Sequence, residues 1–333
     1  MSLEAWPLGT ETPLHEANVA PQSLQERGIN ELYVFSRQGN RFSQRYGSFL
    51  ARLTDEADKQ GVTIFERPTS PSSEGFIRHI RTIEQSGDDN NQVYASFAGD
   101  GTTNSFLTAV RQVGGCQAIL FAGGNKNDVP NQTNTRATKR YPERLLRNNV
   151  VRQLHPLEVK IESDNDTMDI DAFGYFSIGI TANIAHQVND PSFGDNLLHR
   201  SKVGQYLHEY LTAAHGILRA PRFTTTKNGN PERVAEILFA NGRLMAGALK
   251  PKAELFKRRA RVIEAAHLLG ALGIGAALRA GLPIGHDLDG QVDFNLNGPA
   301  GVWLQYDGES LWRDSARVSV RLADRPVSIL AAR

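Results

Sequence analysis

The chain has 333 residues, 40% of them apolar and 22% charged, a composition typical of folded globular proteins that excludes disordered, collagen-like and coiled-coil classes. This length predicts two compact domains. Because Lys plus Arg (37) nearly balances Asp plus Glu (36), no overall field favours a nucleic-acid partner, and we expect any binding surface to be local.

Residues 1–28 are predicted to form a tail, since they show neither helical nor strand periodicity. The first 22 residues contain Glu4, Glu11 and Glu16 but no Lys or Arg, which is unlike a signal peptide. We therefore expect a cytoplasmic protein, with a peripheral location at a membrane left open.

From residue 29 the sequence alternates short apolar runs with amphipathic segments. Strands are predicted over 31–35, 62–65, 92–97 and 118–121, and helices over 42–60, 74–85 and 103–113. This alternation is typical of a doubly wound parallel sheet with helices on both faces. It predicts an N-terminal α/β domain over 29–153.

After about residue 150 the runs become closely spaced, and Asn-Gly and Asp-Gly turn signals separate them. Strands are predicted over 157–161, 168–180, 222–226, 233–240, 292–296 and 302–306, with one long helix over 197–218. The second half, 154–333, is therefore predicted to be an antiparallel β-sandwich domain. A return of the C-terminal segment to the first domain is left open.

One apolar stretch in this half, 262–282, is a candidate membrane span. It contains Glu264, His267 and Arg279 as well as four glycines, which weaken it both as a span and as a helix. The favoured interpretation is a helix packed in the interior of a domain.

Two glycine-bearing turns follow neighbouring predicted strands, at the end where open parallel sheets bind ligands. The first, AGDGT at 98–102, runs into a helix, so its free backbone N–H groups suit an anionic phosphate. Asp100 between two glycines suits Mg²⁺ or a water bound to it, although a tight loop capped by Asp100 is the alternative. The second turn, AGGNKND at 122–128, completes one predicted crevice.

These runs resemble the motifs of the diacylglycerol kinase catalytic family, which includes bacterial lipid kinases and sphingosine kinases and shares its first motif with the NAD kinases. AGDGTTN at 98–104 is similar to GGDGT-x-N-E, and GNKND at 124–128 is similar to GTGND. ANGRLMAGALKP at 240–251 resembles the ANGxxxGGG segment, and YDGE at 306–309 resembles the late DGE motif. The order of the motifs holds across roughly residues 30–333.

The chain also departs from this pattern. Ala98 replaces the first glycine of GGDGT, Ser105 replaces the following Glu, and Lys126 stands at a glycine position of GTGND. Of the early NPxSG turn only Gly39 carries over. LFKRR at 255–259 stands where relatives have an LxDG segment that holds a structural Mg²⁺, so that metal site is expected to be absent.

The resemblance implies a nucleotide-binding α/β domain and a substrate-binding β domain that together form an ATP-dependent lipid kinase, a phosphotransferase acting on a diacylglycerol-like or sphingoid alcohol. ATP and Mg²⁺ are the implied cofactors. Asp307 is expected to be the general base, Glu309 a metal or orienting partner, and Asp100 the group that serves the nucleotide and its Mg²⁺. The residues expected to bind the nucleotide are Gly39, Gly99, Asp100, Gly101, Thr102, Asn104, Gly124, Asn127 and Asp128.

Several alternatives stay open. Without the resemblance, Asp307-Gly308 reads as a two-residue hairpin turn. An NAD kinase-like enzyme, or a nucleotide-binding regulatory protein without turnover, would fit the same fold. The expected partners are a nucleotide and a lipid or other hydroxyl-bearing acceptor, with a homodimer left open. A basic segment either is a solvated strand edge or contacts an anionic membrane; its members are Lys250, Lys252, Lys257, Arg258, Arg259 and Arg261.

Overall fold

A computed structural model describes residues 20–36, 43–86, 91–123, 127–134, 138, 140–164, 166–189, 223–227, 230–245 and 249–333. Its first layer is a six-stranded sheet in the order β2-β1-β3-β4-β16-β5. The pairs among β1 to β4 and the pair β4-β16 are parallel, and β5 runs antiparallel to β16. The strands are β1 (Glu31–Ser36), β2 (Thr63–Pro68), β3 (Gln92–Ala98), β4 (Gln117–Ala122), β5 (Asn149–Leu154) and β16 (Val327–Ala332).

Helices cover both faces of this sheet. On one face α1 (Ser43–Lys59) and α5 (Glu143–Arg147) pack in a core cluster with Val34 and Phe121. On the other face α2 (Ser73–Ser86) and α3 (Asp100–Val113) pack against β1 and β3. Successive residues of a strand point to opposite faces, so strands buried on both sides read as continuous apolar runs.

The second layer is a ten-stranded antiparallel sheet. Its main path is β13-β12-β11-β8-β14-β15-β6-β7, and β9 joins β10 to β14. One core cluster holds Ile170 from β7 together with Val262 from β12 near the other edge, so the sheet curls around its own core. Together the two layers confirm the predicted α/β plus β fold class. The strands are β6 (Leu157–Ser163), β7 (Asp166–Ala172), β8 (Tyr175–Gly179), β9 (Phe223–Lys227), β10 (Asn230–Val234), β11 (Glu236–Ala240), β12 (Arg261–Ala265), β13 (His286–Asp287), β14 (Gln291–Tyr306) and β15 (Glu309–Leu322).

The strand predicted over 168–180 is wrong in its extent. The single strand expected over 168–180 is two strands, β7 and β8, separated at Phe173 and Gly174 and followed by α6 (Ile180–Asn189). The helix expected over 197–218 lies outside the described residues.

The stretch 262–282 is not an interior helix. Its first part belongs to β12, which pairs with β11, and its second part is the surface helix α7 (Leu268–Ala280), in which only Leu278 is buried. No helix among the described residues is both long enough and apolar enough to cross a membrane.

Both ends of the described chain join the first sheet. Leu24, within the range predicted as a tail, is fully buried, and its N–H donates to the carbonyl of Leu146 at 2.8 Å. The C-terminal strand β16 lies between β4 and β5. The α/β layer therefore includes residues from both ends of the described sequence.

A buried ion cluster joins α3 to the antiparallel sheet. The guanidinium of Arg111 donates to Asp171 of β7 and Glu158 of β6, and the Arg111 and Asp171 side chains are only 14% and 9% exposed. Removing one member of a buried pair leaves an uncompensated charge. We expect Arg111→Met to lower the free energy of unfolding by about 3 kcal/mol in urea titrations.

The matched control is Lys59, whose pair with Asp55 is 58% and 69% exposed. Lys59→Met should change the free energy of unfolding by less than about 0.5 kcal/mol. Equal effects of the two substitutions would contradict the account of Arg111 as a structural link between the two layers.

Candidate active site at the edge of the parallel sheet

The first glycine turn leads directly from β3 into α3. Gly99 has extended backbone angles and caps the helix, its carbonyl accepting from the N–H of Thr103 at 2.9 Å. Asp100 is therefore the first helical residue. The first N–H groups of a helix lack intrahelical partners and carry the positive end of its dipole. This turn has the backbone arrangement that binds phosphate at a helix N-terminus.

The second glycine turn lies against the first. The N–H of Gly123 donates to the carbonyl of Ala98 at 3.0 Å, and a Cβ on Gly123 would lie 2.8 Å from the Ala98 nitrogen, so only glycine fits. Beyond it, Asn127 adopts a left-handed conformation with a φ of 54° and begins α4 (Asp128–Thr133), where Asp128 is buried. The two turns form one crevice. Gly39 and Gly124, also predicted to bind the nucleotide, lie outside the described residues.

Asp307 and Gly308 form the tight hairpin turn between β14 and β15, with positive φ values of 44° and 97°. The Asp307 side chain points inward and is 3% exposed. Its carboxylate accepts from the N–H groups of Phe173 at 2.5 Å, Gly174 at 2.8 Å and Tyr175 at 2.9 Å. Three backbone donors occupy both carboxylate oxygens, so Asp307 fixes the hairpin to the break between β7 and β8.

The buried side chain of Asn241 holds the same break from the other side. Its Nδ2 donates to the carbonyls of His155 at 2.6 Å and Phe173 at 3.0 Å, and its backbone N–H donates to the carbonyl of Gly174 at 2.8 Å. Asn241 belongs to the ANG run at 240–242, which has a structural role in this chain. It positions the turn that receives Asp307.

The hairpin meets both glycine turns. A Cβ on Gly174 would lie 2.8 Å from Asp307 Oδ1 and 3.4 Å from the side chain of Val129 in α4. A Cβ on Gly101 would collide with Glu309 Oε1. Glu309 is exposed, in contrast to Asp307. The structure thus brings together most predicted site residues, namely Gly99, Asp100, Gly101, Thr102, Asn127, Asp128, Asp307 and Glu309, with Asn104 buried one turn into α3.

Three carboxyl groups share this small volume. Burial, and then the charges of Asp128 and Asp307, raise the pKa of Asp100 to about 7. Burial also raises the pKa of Asp307 to about 7, although its three backbone N–H donors act in the opposite direction. Burial, and then the charges of the same three carboxylates, raise the pKa of the Tyr175 hydroxyl. Groups crowded in this way bind a cation or a proton more readily than separate carboxylates do.

The raised pKa of Asp100 predicts a pH-dependent stability. Folding moves this pKa from its ordinary value of 3.8 to about 7, so its contribution to stability is present below about pH 4 and is lost as the pH rises through about 7. Asn cannot ionise. Relative to the unchanged chain, the free energy of unfolding of Asp100→Asn should increase between about pH 4 and 8, by up to about 4 kcal/mol. Urea titrations across this range measure the difference, and a pH-independent difference would contradict the assignment.

The donor set fits a Mg²⁺ ion that arrives with a nucleotide. Asp100 Oδ1 is buried without a hydrogen-bond partner in the described part of the chain, and so are Thr103 Oγ1 and Asn104 Oδ1. Carboxylate oxygens are preferred ligands of Mg²⁺. The described residues contain no group of three or more acidic, His or Cys side chains arranged to hold a metal by themselves. An ion here would need ligands from the nucleotide.

A cavity that the sequence analysis missed lies beside the glycine turns. It has a volume of about 230 Å³, and its walls include Phe97, Phe121 and Phe49, with Ser48 and Arg52 on α1. Phe97 and Phe121 are register partners near the carboxyl ends of β3 and β4. The signal was the repeated Phe-Ala-Gly at 97–99 and 121–123. Aromatic side chains line much of this cavity, as is usual for pockets that bind small molecules.

The basic segment is largely paired with carboxylates. Lys257 pairs with Glu254 at 2.9 Å, Arg258 with Asp324, and Arg259 and Arg261 both with Asp287. These pairs favour the solvated strand edge over lipid contact for residues 257–261.

No protein-family model and no curated protein sequence matches this chain. Among solved structures, a diacylglycerol kinase from Bacillus anthracis strain Sterne superposes with a TM-score of 0.59 at 10% identity, over 91% of this chain and 96% of its own. A candidate diacylglycerol kinase from the same strain gives a TM-score of 0.58 at 12% identity over the same shares. Yeast NADH kinase complexed with NADH gives 0.47 at 10% identity over 92% and 84%, which is too distant to add to the comparison. The likeness establishes that this chain shares the fold of these structures.

Proposed function

We propose that this kinase-fold chain is an ATP-dependent phosphotransferase that moves the γ-phosphate to a hydroxyl group of a lipid alcohol, diacylglycerol-like or sphingoid. The observation that carries the proposal is the meeting of two glycine turns with Asp100, Asp128, Asp307 and Glu309 at one edge of the parallel sheet. Phosphoryl transfer demands positioning and charge neutralisation rather than covalent chemistry by the protein.

The nucleotide would lie across the carboxyl ends of β3 and β4. The free N–H groups at the start of α3 and the turn at Gly123 support phosphate binding there. The cavity walled by Phe97 and Phe121 adjoins both turns and supports binding of the base. Asp100 would hold Mg²⁺, which when bound with the nucleotide neutralises phosphate charge.

In the transfer step, the acceptor oxygen forms a bond to the γ-phosphorus as the bond to the bridging oxygen breaks, and ADP leaves. The hydroxyl proton must pass to a base. The burial of Asp307 and its three N–H donors support a positioning role for it instead of the base first expected. Glu309 is exposed beside Gly101, and we assign the proton to its carboxylate.

Two observations support a lipid as the acceptor. Two solved structures of the same fold, each superposing over 91% of this chain, are named as diacylglycerol kinases. The chain also carries a largely exposed apolar helix, α7, on its β layer.

Calorimetric titration with ATP tests the nucleotide half of this proposal. We expect one saturable site per chain, with a higher affinity for ATP in the presence of Mg²⁺ than in its absence. ADP should compete with ATP for this site. Because both glycine turns are required for this site, a chain that does not bind ATP under either condition would remove the basis of the proposed function.

A further inference from the structure

The helix α7 exposes an apolar face. Among the described residues, the exposed large apolar side chains are Val151, Leu269, Leu272 and Leu282, and the last three lie on α7 or directly after it. Leu269 is 76% exposed. Leu269, Leu272 and Ala276 follow the i, i+3, i+7 spacing of one helix face, and Leu282 is exposed just after the helix ends. We call these four residues the outer stripe.

The opposite face of α7 packs on the antiparallel sheet close to the candidate active site. Leu278 and Ile274 contact a cluster that contains Ile263, Leu238 and Tyr175. The N–H of Tyr175 donates to Asp307 at 2.9 Å. The cluster beneath α7 therefore includes Tyr175, whose backbone N–H holds one of the carboxylates at the candidate site.

The charges around α7 favour an anionic surface as its partner. The sequence contains no Asp or Glu from 265 to 286, and Arg279 lies in the last turn of the helix. Lys250 is exposed beside the same end, its N–H donating to the carbonyl of Leu278 at 3.0 Å, and Lys252 is exposed next to it. Buried apolar area and attraction between cations and anionic lipids both strengthen the binding of a helix to a bilayer surface.

We propose that the outer stripe of α7 docks this protein on anionic membranes, with the leucines in the acyl boundary and Lys250, Lys252 and Arg279 at the headgroups. A helix of 13 residues is about 20 Å long, so it lies along the surface and does not cross the bilayer. The docking goes beyond the proposed transfer reaction, because it requires neither nucleotide nor turnover. If both hold, the docked face brings a membrane-embedded alcohol next to the site.

Cosedimentation of the full chain with vesicles, without nucleotide, tests the docking. Vesicles of phosphatidylcholine with roughly one third phosphatidylglycerol should bind the chain, and binding should fall with added salt. The triple change Leu269→Gln, Leu272→Gln and Leu282→Gln should weaken binding by at least ~10-fold, because the apolar contacts are lost. Lys250→Gln with Lys252→Gln should weaken binding to anionic vesicles only.

Two controls keep the result specific. Val151→Gln alters the fourth exposed apolar residue, which lies on β5, and should leave binding unchanged. Lys257→Gln, Arg258→Gln and Arg259→Gln together remove charges already paired with carboxylates and should also leave it unchanged. Melting temperatures show whether each variant is folded.

The proposal is overturned if the folded triple leucine variant binds vesicles like the unchanged chain. It is also overturned if sedimentation velocity without lipid finds a dimer that the leucine changes dissociate, since the outer stripe would then be an interface between two copies of this chain.

Discussion

Asp100→Asn should lower phosphoryl transfer by at least ~10²-fold, because it removes the carboxylate that we assign to the metal-bound nucleotide. The same change should not unfold the protein. The carboxyl is crowded by Asp128 and Asp307, and its raised pKa means that the neutral amide is better tolerated above about pH 7. Lost activity together with retained or increased stability is the expected combination, measured by initial rates and urea unfolding.

Asp289 is the matched control, because it is an exposed carboxylate on the turn before β14. Asp289→Asn should leave the rate unchanged. A near-normal rate for Asp100→Asn would reduce Asp100 to a helix-terminal residue without a role in transfer.

Glu309→Gln and Asp307→Asn should fail in different ways. Loss of a general base lowers rates by ~10²- to 10⁴-fold, so Glu309→Gln should lose activity to this degree with an unchanged melting temperature. Asp307→Asn replaces one acceptor oxygen by an NH₂ group that faces a backbone N–H. We expect a loss of about 3 kcal/mol in the free energy of unfolding.

Activity at temperatures where each variant is folded separates the two roles further. If Glu309 is the base, Asp307→Asn should keep a measurable rate there, and Glu309→Gln should not. If Asp307→Asn is stable but inactive while Glu309→Gln is active, the general base is Asp307 and not Glu309.

Much of the first layer could be predicted because its signals are local. The apolar runs at 31–35, 92–97 and 118–121 appear as β1, β3 and β4 with at most one more residue at either end. The glycine turns after β3 and β4 were also readable, since each lies within a few residues of its strand. Strand, turn and helix follow one another without help from distant residues.

The missed features depend on contacts between distant parts of the chain. The N–H donors of Asp307 lie 132 to 134 residues away at a break inside one predicted strand, and the sequence alone does not pair them. The stretch 262–282 is apolar on all sides, so its pattern does not say which side is covered. The packing of β12 and Leu278 shows which side of α7 is covered.

The most direct test of the account is a transfer assay that uses ATP with a labelled γ-phosphate, in the presence of Mg²⁺. Three acceptors are offered: diacylglycerol, a sphingoid base and NAD. The account predicts that label moves to a lipid product extracted into organic solvent, that the transfer requires Mg²⁺, and that Asp100→Asn abolishes it. Label found only on NAD, or ATP binding without transfer to any acceptor, would contradict the account.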